Sequence, residues 1–299
     1  MTGTNAAGGW PSLAGLLTDT AAEVALLGAP LRRSSVTAGR CDRAPAAIRR
    51  TLARLSTYDV ARETELNMAV TDAGDLDIAA LDAADAFTPI RDALASLLER
   101  HSLVLMLGGN NAVTRPGVHA LGPLDGTALI TLDAHFDLRD TAGGLGNGNP
   151  VRALLDDGLP GRNLVQIGLA PYANTAAMHA TARDAGSGVV TVDDVARLGI
   201  DAVVAAALDR VADGCDHVYV DFDIDVIDRA QCPGAPGARP GGIDASTFFE
   251  ATRLLLAHPK VRGVDLVEFD PALDVADITA LTAARWVAEA LAGFAARTG

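Results

Sequence analysis

Residues 129–140 read LITLDAHFDLRD, an apolar run that breaks directly into Asp133, His135 and Asp137. The residues ahead of the first acid read as a strand covered on both faces, with the acids at its carboxyl end. Strand alternation predicts that the three side chains leave on one side, provided the extended conformation persists through them. Residues 217–228, HVYVDFDIDVID, repeat the design with Asp221, Asp223 and Asp225 at the same spacing and Asp228 following. In open parallel sheets ligands bind outside the carboxyl ends of the strands, so the two acidic tips are predicted to meet in one pocket.

Further apolar runs lie at 24–28, 103–107, 164–167, 189–192 and 261–267, with a weaker one at 69–72. Helical stretches are predicted at 45–55, 84–100, 202–211, 245–257 and 277–296, with Asp244 or Ser246 capping the fourth. This alternation predicts an α/β fold of three layers, α/β/α, around a mostly parallel sheet of about eight strands. The Gly/Pro-rich stretch 233–242 is read as a long loop over the sheet edge, because strand and helix signals resume directly beyond it. The chain, 1–299, is therefore expected to be a single domain, with residues 1–22 disordered or peripheral.

Hydrophobic residues make up 49% and charged residues 21% of the 299, the balance of a globular protein and not of a disordered one. No apolar run has the length of a membrane span, and the amino terminus lacks the pattern of a signal peptide, so a cytoplasmic location is expected. Cys41, Cys215 and Cys232 are odd in number and widely spaced, which argues against disulfides and a zinc knuckle. A net charge of -14, with Lys260 the sole lysine, argues against nucleic acid and anionic membranes as partners.

One acidic cluster alone would read as a solvated loop. Two at strand ends would crowd carboxylates within ~4 Å, where each repulsion costs several kcal/mol. Arg139 is a single charge, so divalent cations are the economical compensation. A donor set of oxygens and one imidazole favours Mn²⁺ over thiolate-seeking metals. The remaining five histidines are read as packed or solvated, with His119, downstream of residues 108–111, the one to weigh as a substitute ligand.

At these residues the chain resembles the ureohydrolases, the arginase, agmatinase and formimidoylglutamase family, from about Val24 to the last strand. DAHFD is similar to the family's DAHxD motif. DFDIDVID resembles its second metal motif, with Arg229 in place of a proline and Pro233-Gly234 and Pro236-Gly237 keeping the loop's character. VEFDP, 267–271, resembles the late motif whose glutamate contacts the substrate's cationic carbon centre. The resemblance implies the arginase/deacetylase-like fold and two Mn²⁺ ions: Asp133 and Asp223 bridging, His135 and Asp225 on one metal, Asp137 on the other. Where the family reads GGxH this chain reads GGNN, which puts Asn111 at a ligand position and implies a weak or empty site there. Asn147 stands in a loop where arginases carry a proton-shuttling histidine.

DAHFDLR is most like formimidoylglutamases, which implies hydrolysis of N-formimidoyl-L-glutamate to L-glutamate and formamide in histidine degradation. Under that reading Asp137 moves the proton and Glu268 holds the amidine. Arg139, Asn147 and Asn149 are the candidate substrate donors, with Arg139 gripping a carboxylate. A rival reading keeps the metals and releases urea from agmatine or a guanidino acid, though Arg139 disfavours agmatine's amine. A third is an inactive binding protein that retains the fold, given Asn111 and Asn147. The family's habit implies a homo-oligomer, trimer or hexamer, acting on a small carboxylate-bearing molecule.

Overall fold

In the computed structural model, which describes residues 10–298, the run ahead of Asp133 is a fully buried strand inside the sheet, third from one edge. The strands in chain order are β1 (Leu17–Thr18), β2 (Val24–Ala29), β3 (Tyr58–Asp59), β4 (Thr64–Glu65), β5 (Val70–Asp75), β6 (Leu103–Gly108), β7 (Thr127–Leu132), β8 (Leu164–Leu169), β9 (Gly188–Thr191), β10 (His217–Asp223) and β11 (Val261–Val267). The helices are α1 (Ala44–Leu52), α2 (Phe87–Leu98), α3 (Thr114–His119), α4 (Pro150–Asp157), α5 (Ala176–Asp184), α6 (Val192–Leu198), α7 (Ile200–Ala212), α8 (Ala245–Leu256) and α9 (Ile278–Ala295). Nine strands form one sheet in the order β1-β5-β2-β6-β11-β10-β7-β8-β9, every pairing parallel. The β3–β4 pair is a separate antiparallel hairpin.

The ninth strand, beyond the eight expected, is β1, two residues that pair with Val70 and Thr71 at the sheet edge. So short a segment carries no periodicity of its own, and its extended form is imposed by the neighbouring strand. It lies within the stretch expected to be disordered or peripheral; Leu13, just before it, is 1% exposed and belongs to the core. Residues 1–9 lie outside the described residues. Val192, read as a strand end, instead opens α6. Thr191 and Asp194 form a capping box there, and satisfying those helix-start donors outweighs the β-branched side chain's strand preference.

Alternation divides the strand residues between two cores. Val24, Leu26, Leu105, Ile130 and Phe222 pack with α1, α7, α8 and α9 on one face, while Ala25, Leu27, Met106 and Leu129 pack with α2, α3 and α4 on the other. Both faces being covered is why the runs look continuously apolar. The first core centres on Trp286, whose ring meets Phe222 edge-on at 5.4 Å, with Phe248 at 5.6 Å from Phe222.

After β6 the chain crosses to β7 and leaves two positions that β11 and β10 fill later. The carboxyl ends of these four adjacent strands border the crevice where ligands collect in open α/β sheets. Trp286 is fully buried, and its indole N–H has no hydrogen-bond partner among the described residues. Trp286→Ala should therefore cost about 3–5 kcal/mol. Trp286→Phe, which also removes the orphan donor, should cost under about 1.5 kcal/mol. Urea midpoints at unchanged m-value measure both.

Candidate metal centre and active site

β7 ends at Leu132, so the extended conformation does not persist through Asp133, His135 and Asp137. They are turned instead by a tight loop. The His135 amide donates to Asp133 Oδ1 at 2.6 Å, and Asn174 clamps the segment, accepting from the Phe136 amide and donating to the Ala134 carbonyl. Asp137 takes a left-handed φ of 53°, a conformation costing a non-glycine residue about 1–3 kcal/mol and found preferentially at functional sites. Glu268, just beyond β11, shares that strain at φ 62°.

Asp223 closes β10 and Asp225 follows in a 3₁₀ turn, its amide bonded to Asp223 Oδ1 at 2.9 Å. The two acidic tips meet: Asp133, His135 and Asp225 offer ligand atoms all within 4.8 Å of one another. His135 Nδ1 lies 3.0 Å from Asp225 Oδ2 and 3.4 Å from Asp133 Oδ1. Asp137, Asp223 and Glu268 line the same pocket with Asn147, Arg139 and Arg239. The loop of residues 233–242 closes over this end, where a Cβ on Gly237 would fall 1.9 Å from Asp225 Oδ2. Only glycine fits there.

Burial pushes the Asp133 carboxyl up to about 6 and Glu268 up to about 7, with the neighbouring acids adding to both. Burial and the Asp133 charge raise Asp137 well above the usual carboxylate range; burial, Asp225 and Asp133 do the same to Asp223. His135 runs the other way. Burial favours its neutral ring, but Asp225 and Asp133 lift it to about 11, and the resulting imidazolium holds Asp225 low against its own burial. Packed acids that one imidazolium cannot neutralise, with hard oxygen donors converging, fit a divalent cation.

Asn111 presents its amide nitrogen to Asp137 Oδ2 at 2.7 Å, while its oxygen accepts from Thr114 at 2.7 Å. Glu268 Oε1 accepts from the Asn111 amide at 2.7 Å and from Asn147 Nδ2 at 3.0 Å, so Asn147 orients the glutamate with the donor assigned to substrate. Asn149 needs a larger correction. It does not line this pocket but two neighbouring clefts, and its amide is consumed by loop backbone, donating to the Asp140 and Gly144 carbonyls and accepting from the Gly146 amide. His119 pairs with Asp157 and packs edge-on against Phe87, outside the site.

Sequence reading missed Arg239 and Asn174. Arg239 follows Pro236-Gly237 in the loop beside the second acidic motif, and that position was its one visible signal. Nothing local marks Asn174, which acts across 38 residues.

The profile of the arginase family matches residues 22–293. The chain is 35% identical over 274 residues to the formimidoylglutamase of Halalkalibacterium halodurans, covering 90% of this chain and 86% of that one. It is 32% identical over 245 residues to the guanidinopropionase of Pseudomonas aeruginosa, covering 80% and 74%. The crystal structure of Bacillus subtilis formimidoylglutamase superposes with a TM-score of 0.89 at 30% identity, covering 98% of this chain and 95% of that one. The chain belongs to the arginase family. Its three-layer sheet is that family's fold.

The proton balance fixes a pH response. With Asp133 near 6 and Glu268 near 7, the metal-free fold keeps protons that the unfolded chain has released, so stability falls as pH rises through that window. His135, held protonated far above its ordinary value, acts in the same direction. The metal-free Tm should drop between about pH 5 and 8, whereas Mn²⁺ affinity should rise as those protons are displaced. Scanning calorimetry with and without chelator checks this, and a metal-free Tm that climbs over the range contradicts it.

Proposed function

We propose that the chain hydrolyses N-formimidoyl-L-glutamate to L-glutamate and formamide. The observation that carries this reading is the pocket's polarity: an inner wall of buried acids and an outer wall with the Arg139 guanidinium, which has no side-chain hydrogen bond or ion pair among the described residues. An amidinium suits the first wall and a carboxylate the second. The family membership and the formimidoylglutamase relative support the same reading.

Asp133, His135, Asp137, Asp223 and Asp225 would hold Mn²⁺, two ions being proposed, with Asn111 at the weaker site. Bound there, the metal acidifies water so that hydroxide is available near neutral pH. Glu268, its Oε1 held by Asn111 and Asn147, places the other oxygen against the amidinium N–C–N group. Asp137 takes the proton of the attacking water and returns it to the glutamate nitrogen as that C–N bond breaks and the new C–O bond forms.

Thr114 supports a carbonyl role for Asn111. Its single hydroxyl proton faces two acceptors, Asn111 Oδ1 at 2.7 Å and Asp265 Oδ2 at 2.9 Å. Reversing the Asn111 amide resolves the conflict: Nδ2 donates to Thr114, Thr114 donates to Asp265, and Oδ1 turns toward Asp137 and any cation there.

The same reading makes the protein a cytoplasmic enzyme of histidine breakdown that assembles as a trimer or hexamer, a state that light scattering on the eluting protein measures. A guanidino acid releasing urea is the second reading, favoured by the guanidinopropionase relative; one carboxylate would satisfy Arg139 equally. A panel of both substrates with Mn²⁺ should yield formamide in excess of urea, and the reverse ratio would install the second reading. Asp137→Asn should lower kcat by about 10²–10⁴-fold. Asn111→His should raise bound Mn²⁺ per chain after gel filtration, because imidazole is the more basic ligand.

A further inference from the structure

We infer that Arg239 is a second carboxylate anchor, and that Arg139 and Arg239 together select an amidine carrying two carboxylates over one carrying a single carboxylate. This deepens the proposed hydrolysis and rests on it for the identity of the substrate.

The two arginines come from different segments and line the same pocket. In a chain of net charge -14, arginines such as Arg49, Arg115 and Arg253 are paired to carboxylates. Among the described residues neither Arg139 nor Arg239 has such a partner. The Arg139 stem lies across Gly148, where an added Cβ would stand 2.7 Å from its Cδ. Among the described residues Arg239 bonds only the carbonyls of Gly237 and Ala238, its own loop, with the rest of its fork unbonded.

That loop is fixed on several sides. Arg229 donates from its side chain to the Ala235 and Pro236 carbonyls at 3.0 and 3.2 Å, and from its amide to the Arg239 carbonyl at 3.1 Å. Asp228 holds the Gly241 amide at 2.7 Å. Gly237 rests on Asp225, so the residue two places on is delivered to the rim with its backbone already ordered. The acid wall repels any dianion. A dicarboxylate enters only where each carboxylate meets a cation, and the rim supplies two.

The test uses Mn²⁺-loaded enzyme and compares wild type, Arg239→Ala and Arg239→Lys on three amidines. These are N-formimidoyl-L-glutamate, N-formimidoyl-4-aminobutyrate (distal carboxylate only) and N-formimidoyl-2-aminobutyrate (proximal only). Arg239→Ala should raise KM about 10–100-fold for the dicarboxylate and for one truncated substrate, with kcat little changed, and leave the other truncated substrate within about two-fold. Lysine should recover part of the loss. Equal effects on all three, or none, overturn the assignment.

A second arm needs no turnover: calorimetric binding of N-acetyl-L-glutamate, a dicarboxylate that is not an amidine. A loss of about ten-fold or more in Arg239→Ala supports the anchor, while undetected or unchanged binding overturns it. Wild type that binds this dicarboxylate but hydrolyses none of the amidines refutes the proposed hydrolysis, and the binding loss in Arg239→Ala then decides for or against Arg239 by itself.

Discussion

Five buried carboxylates at one site, with Asp137, Asp223, Asp225 and Glu268 lining the pocket and Asp133 against His135, are the constraint to which the rest of this structure answers. Carboxylates removed from water and set against one another are among the costlier arrangements a fold can hold. The sheet makes it feasible by bringing four adjacent strand ends to one crevice, so that the acids arrive on a rigid platform. Two of them, Asp137 and Glu268, stand in left-handed backbone, strain that the packed sheet below can sustain.

The layer beneath the pocket repeats the theme. Gln166, Thr131, Asp221 and Asp265 are register neighbours across β8, β7, β10 and β11, all fully buried on one face. Each has a side-chain oxygen with no donor among the described residues. Burial and the Asp265 charge raise Asp221 well above the carboxylate range, and burial pushes Asp265 up to about 6. The pair is tolerable when one proton is shared between them. Tyr219 and Thr114 bond Asp265 at 2.9 Å each, which couples this row through Thr114 to Asn111 and the pocket above.

How much was legible follows from where each signal resides. Strands and the acidic tips were readable because their patterns are local: an apolar run of strand length, then acids at alternate positions. The condition attached to the alternation, that extended backbone persist through the three side chains, is not met, since a turn clamped by Asn174 places them instead. Local reading also failed for β1, whose pairing is wholly tertiary, and for Asn149, whose three loop bonds are invisible until the loop has a shape. Arg239 was lost because a Gly/Pro-rich loop reads as a connection, and the contact between Gly237 and Asp225 exists only after folding.

Asn111 and Asn147, neutral side chains set beside Asp137 and Glu268, have a common physical effect. Neither brings a charge of its own: Asn147 donates an amide hydrogen to Glu268, and Asn111 sets a neutral carboxamide against Asp137. A neutral donor favours the ionised carboxylate without cancelling its charge, whereas an imidazolium would do both. The pocket therefore keeps more uncompensated negative charge than a histidine-bearing version of it would. That charge must be met by what binds: cations among the aspartates and an amidinium against Glu268. A substrate that also carries carboxylates then needs positive charge placed beyond the acids, at the rim, which is where Arg139 and Arg239 stand.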